Sequence, residues 1–124
     1  MARPHTCFVQ AQELPWSDGA PGNPDVSGQS KVLSQDSETG AFTAILKIEP
    51  GFSRPGPVHF RCDVEIFVLD GALEVNGEQS TKGCYAFWPS GYVRNSTTSE
   101  QGCVLLALFD GFHQPKQIRV HQIL

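Results

Sequence analysis

The sequence predicts an all-β chain with few or no helices, and three observations carry that expectation. Short apolar runs are punctuated by 12 Gly and 9 Pro, a density that helix interiors do not tolerate. Several of those runs alternate between apolar and polar residues with a period of two. No stretch sustains a 3.6-residue period with caps at both ends. At 124 residues the chain is expected to form one domain, 1–124. That length buries roughly two-thirds of its unfolded surface and so folds without metal or disulfide staples.

In chain order, Val9 to Leu14 reads as a first short strand, closed by Pro15. Ser17 to Ser30 (SDGAPGNPDVSGQS) is a loop by composition, long enough to act as a lid over a site or to stay disordered. Lys31 to Gln35 resumes extended chain, and Asp36-Ser37-Glu38-Thr39-Gly40 is a turn. In the next strand, Ala41 to Ile48, residues Phe42, Ala44, Leu46 and Ile48 share one face. Pro55-Gly56-Pro57 denies helix to the stretch before His59. Glu65 to Leu69 is β-branched and aromatic and ends at Asp70-Gly71. Leu73 to Asn76 leads into an Asn76-Gly77 hairpin turn. Cys84 to Trp88 is stopped by Pro89-Ser90-Gly91. Cys103 to Phe109 (CVLLALF) reads as a central strand buried on both faces, and Gln117 to His121 as a last strand. Roughly seven to ten short strands separated by turn residues indicate a sandwich or barrel.

Nine Lys and Arg against 13 Asp and Glu give a net charge of −4, without the basic footprint of a nucleic-acid binder. No window approaches the run of about eighteen apolar residues that a membrane span needs. The start of the chain, MARPHTCFVQAQEL, lacks the apolar segment of a secretory signal. A cytoplasmic location is therefore expected, with Cys7, Cys62, Cys84 and Cys103 reduced. No C-x-x-C spacing marks a zinc or redox pair.

The region 51–95 carries an ordered pattern of turn residues. Its first half is H-F-R-C-D-V-E-I-F-V-L-D-G, from His59 to Gly71, and its second is G-C-Y-A-F-W-P-S-G-Y-V-R-N, from Gly83 to Asn95. The two halves resemble the signature motifs of the cupin superfamily, G(x)5HxH(x)3–4E(x)6G and G(x)5PxG(x)2H(x)3N. Gly83, Pro89 and Gly91 match the second motif, while His59 and Glu65 match the first His and the Glu of the first. Gly71 follows Glu65 one residue early. The resemblance covers about a third of the chain and implies an RmlC-like jelly-roll β-barrel, in a small bacterial-type cupin that pairs as a homodimer. In such a barrel the motif His and Glu residues hold one divalent metal. Here Arg61 stands at the second His position and Arg94 at the His of the second motif. A protonated guanidinium has no lone pair to offer a metal. Of the implied ligand set, His59 and Glu65 remain, fewer than the three protein ligands of a catalytic metal site.

Strand geometry places His59 with Arg61 on one face and Glu65 with Phe67 and Leu69 on one face. If those faces line the barrel, the interior holds one carboxylate, two guanidiniums, an imidazole and an apolar wall, with Trp88, Phe87, Tyr85 and Phe109 as further wall candidates. Three readings follow. The first is a binding protein without a metal cofactor, whose pocket of His59, Arg61, Glu65, Arg94 and Phe67 takes a small anionic or carboxylate-bearing molecule. The second is an enzyme, either a metal-dependent dioxygenase or isomerase using one divalent ion on His59, Glu65 and further ligands that the sequence does not identify, or one with His59 as a base. The third is a structural protein whose site is plugged by an ion-pair network of Glu65 with the two arginines. Neither nucleic acid nor membrane is an expected partner.

Overall fold

The structure is a computed structural model that describes residues 3–21, 27–111 and 116–117. Among them the chain forms one 3-10 turn, Ala11–Glu13, and ten strands. These are β1 (Ser17–Asp18), β2 (Gln29–Gln35), β3 (Phe42–Ile48), β4 (Phe52–His59), β5 (Val64–Val75), β6 (Glu78–Thr81), β7 (Tyr85–Trp88), β8 (Arg94–Ser99), β9 (Cys103–Phe109) and β10 (Lys116–Gln117). All pairings are antiparallel, in the order β1-β2-β3-β9-β5-β8-β4-β10, with β6 and β7 also on β5. The predicted all-β barrel is thus the observed architecture. No helix among the described residues is long and apolar enough to cross a membrane.

β5 is the strand on which the two halves of the barrel meet. Val64 to Gly71 pairs with β9, and Ala72 to Val75 pairs with β6. The register shifts between Val68 and Asp70, and Gly71 sits at φ 78°. A Cβ at Gly71 would strike the Gly102 carbonyl oxygen, so only glycine lets the strand turn this corner. Asp70-Gly71, expected to end the strand, instead bends it.

β4 carries a second device that shapes the interior. Its register against β8 shifts between Pro55 and Val58. A bulge of this kind bends a strand and re-aims its neighbours' side chains. Gly56 lies inside it, and a Cβ there would collide with the Arg94 carbonyl oxygen. The missing side chain brings the β8 backbone close at Arg94, whose side chain is buried.

Phe42 and Ala44 of β3 turn inward with Val64, Ile66 and Val68 of β5 and Leu105, Ala107 and Phe109 of β9. The rings of Phe42 and Phe109 stack at 4.8 Å, and Phe60 meets Phe109 edge-on at 5.2 Å. Each such apolar side chain contributes roughly 1.5–3 kcal/mol on burial.

Several expectations are corrected. Val9 to Leu14 is not a strand: Ala11–Glu13 is a 3-10 turn, and Pro15 leaves the segment little room to pair. The ends of the Ser17–Ser30 stretch are strand, since Ser17 pairs with Ser30 and Asp18 with Gln29; residues 22–26 lie outside the described residues. β9 is buried on one face only, with Val104 and Leu106 partly exposed and Leu108 exposed. Of the last expected strand, Gln117 is in β10 and the remainder lies outside the described residues.

Candidate functional site

A cavity of about 120 Å³ occupies the barrel interior. Its floor is the apolar core, including Phe42, Ile66 and Leu105, and its mouth is framed by Gly19, Ala20, Ser27 and Gln29 around the β1–β2 pair. The polar side chains inside come from β4 and β8: Arg54, Arg94 and Thr97. Arg54 and Thr97 are direct cross-strand partners, a relation that sets their Cβ atoms about 5 Å apart on one face.

Arg94 is only 7% exposed. Its guanidinium lies 4.3 Å from the centre of the Trp88 ring and 4.8 Å from that of Phe60. Arg54 lies over Phe60 at 5.6 Å and over Phe52 at 5.9 Å. Burial, followed by the nearby Arg54 charge, pushes the Arg94 pKa down to about 10, and burial lowers that of Arg54. Arg94 therefore remains a cation at neutral pH. Among the described residues neither guanidinium is paired with a carboxylate. Moreover, Arg54 Nε and Thr97 Oγ1 are buried without a hydrogen-bond partner among the described residues. Buried polar groups of native proteins are nearly always satisfied, so two orphans side by side call for an acceptor. Cys62, close enough to feel Arg94, is held as the neutral thiol because burial pushes its pKa up.

The candidate residues read from the sequence do not converge. Arg94 is in the cavity. His59 is not among the lining residues and lies between the inward-facing Val58 and Phe60. Arg61 is exposed, in the bend after β4. Glu65 is on the outer face of β5, where its Oε1 accepts a 2.6 Å hydrogen bond from Tyr85 Oη. That bond, ahead of burial, raises the Tyr85 pKa. Phe67 is 41% exposed, with Tyr85 and Phe87 also on the outside, while Trp88 and Phe109 do line the cavity. The positions that face inward are Phe60, Cys62 and Ile66, one residue further along than the motif match assumed. A shift of one residue exchanges the faces of a strand. The proposed plug of Glu65 between two arginines is absent for the same reason: the carboxylate is on the other side of the sheet.

Arg54 and Thr97 were not anticipated. The signal for Arg54 is its period-two relation to Phe52, legible only once the Pro-containing segment 52–59 is read as a strand.

The cavity's donor set does not fit a divalent metal. Two guanidiniums and a hydroxyl surround the space, and cations at close range repel an ion. No group of three or more His, Cys, Asp or Glu able to hold a metal occurs among the described residues.

A family model described as the ChrR cupin-like domain matches residues 4–112. The chain belongs to that cupin family. Its barrel is similar to that of a protein from Nostoc punctiforme PCC 73102, with a TM-score of 0.77 at 19% identity over 88% of this chain and 39% of that one. An acetylacetone dioxygenase from Acinetobacter johnsonii has a TM-score of 0.71 at 21% identity, covering 95% of this cupin and 83% of the dioxygenase. An RmlC-like cupin from Shewanella frigidimarina NCIMB 400 has a TM-score of 0.62 at 17% identity, over 98% and 99% of the two chains. At these identities the likeness is one of fold. No curated protein matches.

Proposed function

We propose that this cupin is a small-molecule-binding protein whose barrel takes a small anion, anchored by Arg54 and Arg94. The observation that carries the reading is a buried guanidinium, Arg94, beside a half-buried one, Arg54, neither with a carboxylate partner among the described residues. A buried cation is costly unless a counter-charge meets it. Guanidinium forks match carboxylates and phosphates through parallel N–H donors, and the apolar walls strengthen that attraction by excluding water. His59 is away from this cavity, so the reading assigns it no role as a base.

The test is thermal unfolding in acetate, benzoate and phosphate at constant ionic strength, against a sodium chloride reference. A ligand at about 100 times its Kd stabilises by about 2.7 kcal/mol, which is about 10 °C for a chain of this size. The gain is expected in at least one of the three anions and is expected to vanish in Arg54→Gln. Identical melting in every anion would overturn the reading.

A further inference from the structure

The pocket's shape and chemistry go further than a generic anion site. Resting on the anion reading, we propose that the ligand is a compact aryl monocarboxylate of about the size of benzoate, with one carboxylate oxygen accepting hydrogen bonds from Arg54 Nε and Thr97 Oγ1.

Three observations converge on this class. The first is the orphaned pair itself. Arg54 and Thr97 face each other across β4 and β8, Thr97 is 3% exposed, and Nε and Oγ1 are both buried with no partner among the described residues. Nε–H can only donate and the hydroxyl is free to donate. One carboxylate oxygen, with two lone pairs, satisfies both at once.

The second is the wall. Beyond the cationic groups and Thr97, the space is bounded by the rings of Phe52, Phe60 and Trp88 and by aliphatic side chains such as Leu46 and Leu105. A phosphate would turn its remaining oxygens toward hydrocarbon and leave them unpaired, at a cost. A carboxylate exposes two oxygens on one edge, and a flat apolar body behind it fills the aromatic slot. At about 120 Å³ the cavity is smaller than the apolar cavity of about 150 Å³ that holds one benzene, so a single ring is the upper limit for the body behind the carboxylate.

The third is charge. Arg94 already rests on two ring faces, at 4.3 and 4.8 Å, which partly balance it. Arg54 has only more distant ring contacts, at 5.6 and 5.9 Å. A single negative charge beside Arg54 and Thr97 therefore meets the cation with the weaker ring contacts.

Calorimetric titration of the full chain with benzoate, benzamide, acetate and phosphate tests this. Benzoate is expected to bind at least about tenfold more tightly than the other three: benzamide lacks the charge-assisted hydrogen bonds, acetate lacks the buried ring, and phosphate leaves oxygens unpaired against hydrocarbon. Thr97→Val, which keeps the shape and removes the hydroxyl, is expected to weaken benzoate by about tenfold, and Thr97→Ser to restore it. Arg54→Lys keeps a cation without the Nε donor and is expected to show a similar loss, so the inference stays testable if the valine variant does not fold. Acetate or phosphate binding as tightly as benzoate would overturn the aryl class while leaving the anion reading standing. Benzamide binding as tightly as benzoate, or no binding by any of the three anions, would overturn both. Full benzoate affinity in Thr97→Val and Arg54→Lys would overturn the proposed seat, as would a structure with only an ordered water there.

Discussion

Arg94→Met is expected to melt above the parent protein and to lose its response to anions. Arg94 is 7% exposed, is driven down to a pKa of about 10 chiefly by burial, and has no carboxylate partner among the described residues. Desolvating a cation costs several kcal/mol after relaxation, while its two ring contacts return about 0.5–2 kcal/mol each. Methionine fills a similar unbranched volume and keeps a favourable sulfur contact with Trp88 and Phe60. The net gain is about 1–2 kcal/mol, or about 5 °C at this chain length. Thermal unfolding of the two proteins, each with and without benzoate, measures both halves. A variant that melts well below the parent would mean that the free protein already compensates the guanidinium. The trade is familiar at binding sites, where stability is given up for a charged group held ready.

Phe42→Ala is expected to cost about 3–5 kcal/mol. Phe42 is 1% exposed, its ring stacks on Phe109 at 4.8 Å with an interplanar angle of 10°, and Phe109 in turn carries Phe60. Removing the ring leaves a void continuous with the existing cavity and strips the Phe109 stack of one face. Chemical denaturation should show a lower midpoint with an unchanged slope, the sign of lost stability without a change in the surface exposed on unfolding. A loss below about 1 kcal/mol would mean that the core can close around the gap.

How much of this was legible beforehand differed from strand to strand. β3 announced itself, because Phe42, Ala44, Leu46 and Ile48 alternate against polar neighbours. The Asn76-Gly77 hairpin did too: both residues take positive φ, 52° and 82°, as the residue pair predicts. Gly83 and Gly91 also hold positive φ, 93° and 84°, a backbone conformation that favours glycine. The site was the least legible part. Its polar groups sit on β4, interrupted by Pro55, Gly56 and Pro57, and on β8, whose RNSTTS sequence lacks β-branched apolar residues. Neither was anticipated as a strand, so Arg54 and Thr97 were not seen as neighbours.

β5 failed in a different way. Val64, Ile66 and Val68 face inward, while Phe67 and Leu69 face out. Both faces are apolar, so periodicity could not say which was the core face, and the match of His59 and Glu65 to a motif chose the wrong one. Arg94 lines the cavity, and the turn residues Gly83, Pro89 and Gly91 fix its place in the sequence independently of that ambiguity.

The barrel presents positive charge to its contents through Arg54 and Arg94. The most direct measurement is the metal content of the protein purified without a metal-affinity tag, by plasma mass spectrometry. Iron, manganese, nickel and zinc are each expected far below one equivalent per chain, with a melting temperature that chelator does not change. Near-stoichiometric metal, lost to chelator together with stability, would contradict it.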